Sequence, residues 1–327
     1  MKVLVTGATG FIGSAITRQL VSDGVEVKVL MRETSDTRNL EGLDVERAYG
    51  DICDADSVRA ALRGCDTLFH AAAFFSHWAT DSKRFYDVNV GGTKASLRAA
   101  MDAGVSKVVY TSTNNAIGAY GAVASDEEVE FNYWKTGDHY SISKYLAEIE
   151  AFKFGAKGLP IVVVNPTLVI GTHDIRPTSS GQLIIEVASG NLPAYVDGWV
   201  NIVDVEDVAR GHLLAASKGR VGERYLLGNK NLTVGEYFRM IAEAAGVAPP
   251  RVNAPYPAAL AVAHLYEFAS RFTKKHPVAT VSEVKIGHLG ETYDCSKAIA
   301  ELGLPQTPVR ESVQRAVDWF KSNGYIK

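Results

Sequence analysis

A chain of 327 residues with 46% apolar and 22% charged residues and a formal net charge of -3 has the balance of a soluble globular protein, large enough for one big domain or two small ones. That charge gives no electrostatic case for nucleic acid as a partner. Three scattered cysteines (Cys53, Cys65 and Cys295) form no C-x-x-C pair, and no apolar run reaches membrane-spanning length, so zinc sites, disulfide frameworks and membrane spans are not expected and the cytoplasm is the expected location.

The chain opens on an apolar strand, Val3–Val5, then places glycines at 7, 10 and 13 before a helical pattern over Ile12–Asp23. A glycine-rich turn between a strand and a helix is the setting in which such a loop binds a dinucleotide. Gly7 permits the tight turn, Gly10 lets a pyrophosphate approach the backbone, and Gly13 lets the helix pack close to the sheet. The next strand, Val27–Leu30, runs into Met31 and Arg32, where an NAD-preferring protein usually carries a carboxylate for the adenosine ribose. Arg32 can pair with a 2′-phosphate through its planar fork, with Arg38 as a second clamp. Arg32 stacked on adenine, or Glu33 as a displaced acid, is the other reading. NADP(H) is therefore the expected cofactor, with NAD(H) possible.

Strand-like runs follow at Thr67–His70, Val108–Thr111 and Ile161–Val164, separated by helical patterns at Ala55–Leu62, Gly92–Ala103 and Tyr140–Phe154. Continuous apolar strands alternating with helices predict a parallel sheet covered on both faces. Farther on, Asn201–Val205 reads as a strand, Val208–Ala216 as a helix, and Thr233–Ala245 as an amphipathic helix opened by a Thr233/Glu236 capping box. Pro249 and Pro250 break the chain, and Ala258–Arg271 is an unusually apolar helix. The expected fold class is α/β: a doubly wound parallel sheet of Rossmann type over residues 1–165, with returns near 201–216. Residues 166–327 are expected to form a smaller, interleaved mixed α/β region for substrate.

Y-S-I-S-K, Tyr140 to Lys144, sets a phenol and an ammonium four residues apart, on one face of a helix. A nearby ammonium and an oxidised nicotinamide both favour the phenolate, which would let Tyr140 exchange a proton near neutrality. The same spacing recurs at Tyr293 and Lys297, outside a strand–helix–strand context, and is read there as a surface or packing pair. Asn89 reads equally well as an N-cap for a helix starting at Val90.

T-G-A-T-G-F-I-G, residues 6–13, resembles the fingerprint of the extended short-chain dehydrogenase/reductase family, of epimerase/dehydratase type. The resemblance continues along the chain. Gly50–Asp54 resembles the family's adenine loop, His70–Ala73 the segment under the cofactor riboses, and Asn89–Thr93 the family's N-V-x-G-T. Val108–Thr113 resembles the strand that delivers the catalytic Ser or Thr, and Asn165–Gly171 the loop over the nicotinamide. Asn201–Arg210 and Tyr293–Ala298 resemble late family blocks. This resemblance implies a catalytic group of Tyr140, Lys144 and Thr113, with Ser112 as the neighbouring alternative, and a structural or water-relay role for Asn89. It implies a cofactor set of Gly7, Thr9, Gly10, Phe11, Ile12, Gly13, Arg32, Asp51, Ile52, Ala71, Ala72, Ala73, Pro166, Thr167 and Leu168, together with Tyr140 and Lys144. Phe75, Trp78, Asn114, Tyr133 and Trp134 fall where the family binds substrate. A homodimer through the helices Gly92–Ala103 and Tyr140–Phe154 is implied by analogy.

Within the family the chain resembles two groups. One is the dihydroflavonol-4-reductase-like reductases; the other, through the run Ile175–His212, is the hopanoid-associated sugar epimerases. The expected function is NADP(H)-dependent reduction of a ketone, or oxidation of a secondary alcohol, on a mostly apolar or aromatic small molecule. The alternatives are a nucleotide-sugar epimerase or dehydratase with tightly bound NAD, for which Arg220 and Arg224 are candidates to hold the diphosphate or else only cap a surface turn, and an NADP(H)-binding regulatory protein without turnover.

Overall fold

The computed structural model describes residues 1–76, 81–192, 194–273 and 280–326. In chain order its strands are β1 (Lys2–Thr6), β2 (Glu26–Met31), β3 (Glu46–Tyr49), β4 (Thr67–His70), β5 (Lys107–Thr111), β6 (Gly121–Ser125), β7 (Ile161–Pro166), β8 (Leu168–Ile170), β9 (Ala194–Tyr195), β10 (Trp199–Asp204), β11 (Arg224–Leu227), β12 (Lys230–Thr233), β13 (Val252–Asn253) and β14 (Glu291–Tyr293). The helices are α1 (Phe11–Ser22), α2 (Ala55–Ala61), α3 (Lys83–Phe85), α4 (Thr93–Ala103), α5 (His139–Ala156), α6 (Ser179–Ala188), α7 (Val205–Lys218), α8 (Val234–Ala245), α9 (Tyr256–Thr273), α10 (Val281–Leu289) and α11 (Val309–Ser322).

Seven strands form one parallel sheet in the order β11-β7-β5-β4-β1-β2-β3. The order reverses between β1 and β4, where the chain winds away in both directions. The crevice at that switch point, outside the carboxyl ends of the strands, is where such sheets bind ligands. Alternation along β1 shows why the sheet is covered twice. Val3 and Val5 join the core that packs with α1 and α7, whereas Leu4 points into the core under α2, α4 and α5. Each fully buried Val or Leu contributes roughly 1.5–3 kcal/mol of transfer free energy, so both layers are needed.

The second half of the chain completes the first. It supplies the edge strand β11 and helix α7, whose N-cap Asp204 accepts a hydrogen bond from Glu206 N. A three-stranded sheet, β12-β10-β8, packs with α6, α8 and α11 in a separate core. The capping box of Thr233 and Glu236 opens α8. No helix among the described residues is long and apolar enough to cross a membrane.

One expectation is corrected. The helical segment before α4 does not start at Val90: Tyr86–Gly92 is a π-helical stretch running straight into α4. Asn89 therefore sits inside a helix and caps nothing. The widened turn aims its side chain at another element, a recurrent use of π-bulges near functional sites.

Candidate active site

The turn after β1 is shaped by close backbone approaches. Gly7 lies in the left-handed region at φ 77°. A Cβ on Gly7 would stand 2.7 Å from Ala72 N, and one on Gly13 would stand 2.2 Å from the Gly7 carbonyl oxygen. These contacts bring the start of α1, the β1 turn and the segment Ala71–Ala73 into one cradle, tied by Ala72 N donating to Thr6 Oγ1 at 3.3 Å. Gly10 is the N-cap of α1 and no side chain caps the helix. The first-turn N–H groups of Phe11, Ile12 and Gly13 thus lack a capping acceptor, and the positive end of the helix dipole reinforces them. This cradle fits the pyrophosphate of a nicotinamide dinucleotide. Thr9 lies within the loop, its carbonyl accepting from Asn39 Nδ2.

At the carboxyl end of β2, Met31 closes the strand as a buried residue and Arg32 follows it exposed. Arg38, the second clamp expected from the sequence, is held by Asp36 at 2.7 Å, and this pairing draws the Asp36 carboxyl down to about 2. The Asp51 carboxylate closes its own turn by accepting from Cys53 N at 2.9 Å, and Ile52 packs over Gly92.

Helix α5 carries Tyr140 and Lys144 inward. Its N-cap Asp138 accepts from Ser141 N at 2.8 Å, which fixes the first turn and with it the Tyr140 ring. Thr113 Oγ1 donates to Asn114 Oδ1 at 3.2 Å and accepts from Asn115 N at 3.3 Å, and the Phe75 ring stands edge-on to Tyr140 at 4.9 Å. Lys144 Nζ donates to the Thr111 carbonyl at 2.8 Å and to Tyr110 Oη at 3.3 Å. Burial sets the titration of both groups. It pushes the Tyr140 phenol above its ordinary value, with the Thr113 hydroxyl opposing, and it pulls the Lys144 ammonium down to about 8, with Glu148 opposing. The lowered phenol expected beside Lys144 is therefore not found in the protein alone. The ammonium is committed to Thr111 and Tyr110, and desolvation of the phenolate outweighs it. Ser112 Oγ is buried without a hydrogen-bond partner among the described residues, as is His70 Nε2, whose ring bonds Thr6 Oγ1 through Nδ1.

Asn89, which the sequence marks, and three residues that it does not single out hold this group in place. Asn89 Nδ2 donates to Ser143 Oγ at 2.9 Å while its amide also bridges both backbone groups of Phe74, tying the loop after β4 to α5. Asn165 Nδ2 donates to the Thr113 carbonyl at 2.9 Å and to Glu148 at 2.7 Å. Glu148 lies one turn beyond Lys144 on the buried face of α5, a signal present in the spacing. Glu291 of β14 accepts from Tyr133 Oη at 2.7 Å and from Asn114 Nδ2 at 3.2 Å.

The residues expected to meet substrate therefore divide. Asn114 and Tyr133 are joined through Glu291, and Tyr133 also meets Tyr293 Oη at 3.2 Å, so Tyr293 is a packed residue. Trp134 is half-exposed and packs against Phe131 and Tyr145 on a groove that neither Tyr140 nor Thr113 lines. Trp78 lies outside the described residues. Past β7, Pro166 ends the strand, and Thr167 Oγ1 donates to Asn201 Oδ1 at 2.9 Å, pinning the loop into Leu168 to the second sheet.

The family model described as the NAD dependent epimerase/dehydratase family matches residues 3–228. A protein of Synechocystis sp. assigned as a dihydroflavonol 4-reductase is 37% identical over 99% of this chain and 95% of its own. Sterol demethylase protein B of Methylococcus capsulatus is 36% identical over the full length of both chains. Among solved structures, a nucleoside-diphosphate-sugar epimerase from Pseudomonas aeruginosa superposes with a TM-score of 0.82 at 27% identity, covering 100% of this chain and 99% of its own.

Proposed function

The chain belongs to the NAD-dependent epimerase/dehydratase family, the extended short-chain dehydrogenases/reductases, and from that premise we propose that this oxidoreductase uses NADP(H) to reduce a ketone, or oxidise a secondary alcohol, on a mostly apolar or aromatic small molecule. The observation that carries the cofactor choice is Arg32, exposed directly after the buried Met31 that ends β2. A guanidinium there favours a 2′-phosphate, and the missing carboxylate removes the usual partner of a ribose 2′-hydroxyl. NADP(H) in turn suits net reduction. The Phe75 ring against Tyr140 supports an apolar substrate. So do the names of the two relatives, which refer to a dihydroflavonol and a sterol.

In this reading the uncapped first turn of α1 and the backbone of Gly7 to Gly13 hold the pyrophosphate, Asp51 and Ile52 flank the adenine, and Ala71–Ala73 and Pro166–Leu168 enclose the nicotinamide half. The bound cofactor supplies or takes up the hydride. Tyr140 donates its proton to the carbonyl oxygen, and Thr113 gives that oxygen a second hydrogen bond. Lys144, still mostly charged at neutral pH, favours the phenolate left on Tyr140 and would anchor the nicotinamide ribose. Asn89 positions Ser143 and the loop carrying Phe75. The three free cysteines support a reducing, cytoplasmic setting, and α4 with α5 is the proposed homodimer surface.

The family name and the Pseudomonas relative favour a second reading, sugar-nucleotide epimerisation with retained NAD+. Arg220 and Arg224, the sequence's candidates for a diphosphate, do not support it. Arg220 is paired with Glu301, and Arg224 begins β11 opposite Val163, about 10 Å before the carboxyl end of the sheet.

Titrating the wild type and Arg32→Ala with NADPH and NADH tests the cofactor assignment. NADPH is expected to bind wild type at least about tenfold tighter, with the difference lost in the variant, as for one charge-assisted hydrogen bond. Equal affinities in the wild type, or equal weakening of both cofactors in Arg32→Ala, would contradict it.

A further inference from the structure

Helix α9 is amphipathic the wrong way round. Its buried positions, Ala263 and Ser270, share one side with Glu267, whose carboxylate accepts from Val281 N and so ties α9 to α10. The opposite stripe carries Val262, Leu265, Tyr266, Phe268 and Phe272, all exposed; Leu265 is 69% and Phe272 75% accessible. Spaced at i, i+3, i+4, i+6 and i+10, they cover about 160° of the helix surface. A surface helix normally turns such a stripe to the core, and contiguous exposed apolar patches mark interaction sites.

Charge identifies the occupant. Residues 251–288 hold five cations (Arg251, Arg271, Lys274, Lys275 and Lys285) against two acids, Glu267 and Glu283, a net of +3 in a chain whose total is -3. Both acids are occupied within the fold: Glu267 by Val281 N, Glu283 by the capping box of Thr280. Lys274 and Lys275 follow the last residue of α9 directly in the sequence. An apolar stripe combined with excess Lys and Arg is the composition that lies in the plane of an anionic bilayer surface.

We propose that α9 is a membrane-surface docking helix that seats this protein on anionic lipid bilayers with its stripe of Val262, Leu265, Tyr266, Phe268 and Phe272 in the interface. A run of contacts links α9 to the catalytic crevice. Helix α10 leads into β14, where Glu291 bonds Asn114, the neighbour of Thr113. Docking would bring that crevice to the surface where apolar molecules concentrate. This benefit rests on the proposed substrate class, but docking itself does not.

The test is co-sedimentation of the full chain with extruded vesicles of phosphatidylcholine alone or mixed with phosphatidylglycerol, without cofactor or substrate. The wild type is expected to pellet with the mixed vesicles, less so as salt is raised, and only weakly with phosphatidylcholine. Leu265→Glu and Phe272→Glu should each weaken partitioning by about tenfold, the loss of one buried apolar side chain, while NADPH binding is retained. As a readout independent of variants, hydrogen exchange in residues 256–273 should slow on adding mixed vesicles. Failure of the wild type to pellet, or unchanged exchange in α9, overturns the proposal. So does loss of a dimer in Leu265→Glu by sedimentation velocity without vesicle binding, which would make the stripe a contact between copies. Because turnover is not measured, a wrong substrate class would leave these results untouched.

Discussion

Tyr140→Phe should lower turnover by roughly 10²–10⁴-fold while leaving NADPH affinity nearly unchanged, since a positioned general acid contributes about that much. The ring would keep its edge contact with Phe75 and its place in the first turn of α5; only the phenol hydroxyl and its proton would be lost. Lys144→Met should damage both turnover and cofactor affinity, because its ammonium is proposed to act on the phenol and on the nicotinamide ribose. Tyr293→Phe should keep activity, since its hydroxyl bonds Tyr133 within a packed cluster. Steady-state rates and fluorescence titration separate these outcomes, and full activity in Tyr140→Phe would remove Tyr140 from the mechanism.

Glu148→Ala should destabilise the fold by about 3 kcal/mol. The Glu148 side chain is almost fully buried and paired with Arg224 at 2.8 Å, and it also accepts from Asn165. Truncating it strands a half-buried guanidinium beside β11 and frees the amide that supports the Thr113 carbonyl. Replacing both partners, Glu148→Leu with Arg224→Met, should cost less than Glu148→Ala alone, because no uncompensated charge remains. Urea unfolding of the three proteins measures this directly; a single variant as stable as the wild type would show that the pair does not brace the site.

The central sheet and the glycine turn were legible because their signals are local. A strand, three glycines and a helix start lie within residues 2–13, and the Tyr140–Lys144 spacing lies on one helix. What was not legible is long-range or departs from ideal periodicity. The N-cap reading of Asn89 fails because a 3.6-residue pattern cannot announce a π-helical turn, and only the folded chain brings Asn89 to Ser143, 54 residues away. Glu291 is 158 residues from Tyr133, so its bridge to Asn114 has no sequence signature. The edge strand β3 carries no sequence signal because Glu46, Arg47 and Tyr49 are exposed there and form no apolar run. The sequence offers Arg220 and Arg224 for a diphosphate because it does not contain the register of β11 on β7, which places Arg224 at the amino end of its strand.

The reaction class is tested most directly by cofactor stoichiometry. The protein is supplied with NADPH and a panel of aryl ketones, steroid ketones and flavanones, and in parallel with nucleotide sugars and catalytic NAD+, while cofactor absorbance and products are followed together. The reductase reading predicts one NADPH consumed per alcohol formed from at least one ketone. Inversion of a nucleotide sugar with no net change in cofactor absorbance, together with no reaction of any ketone, would contradict it.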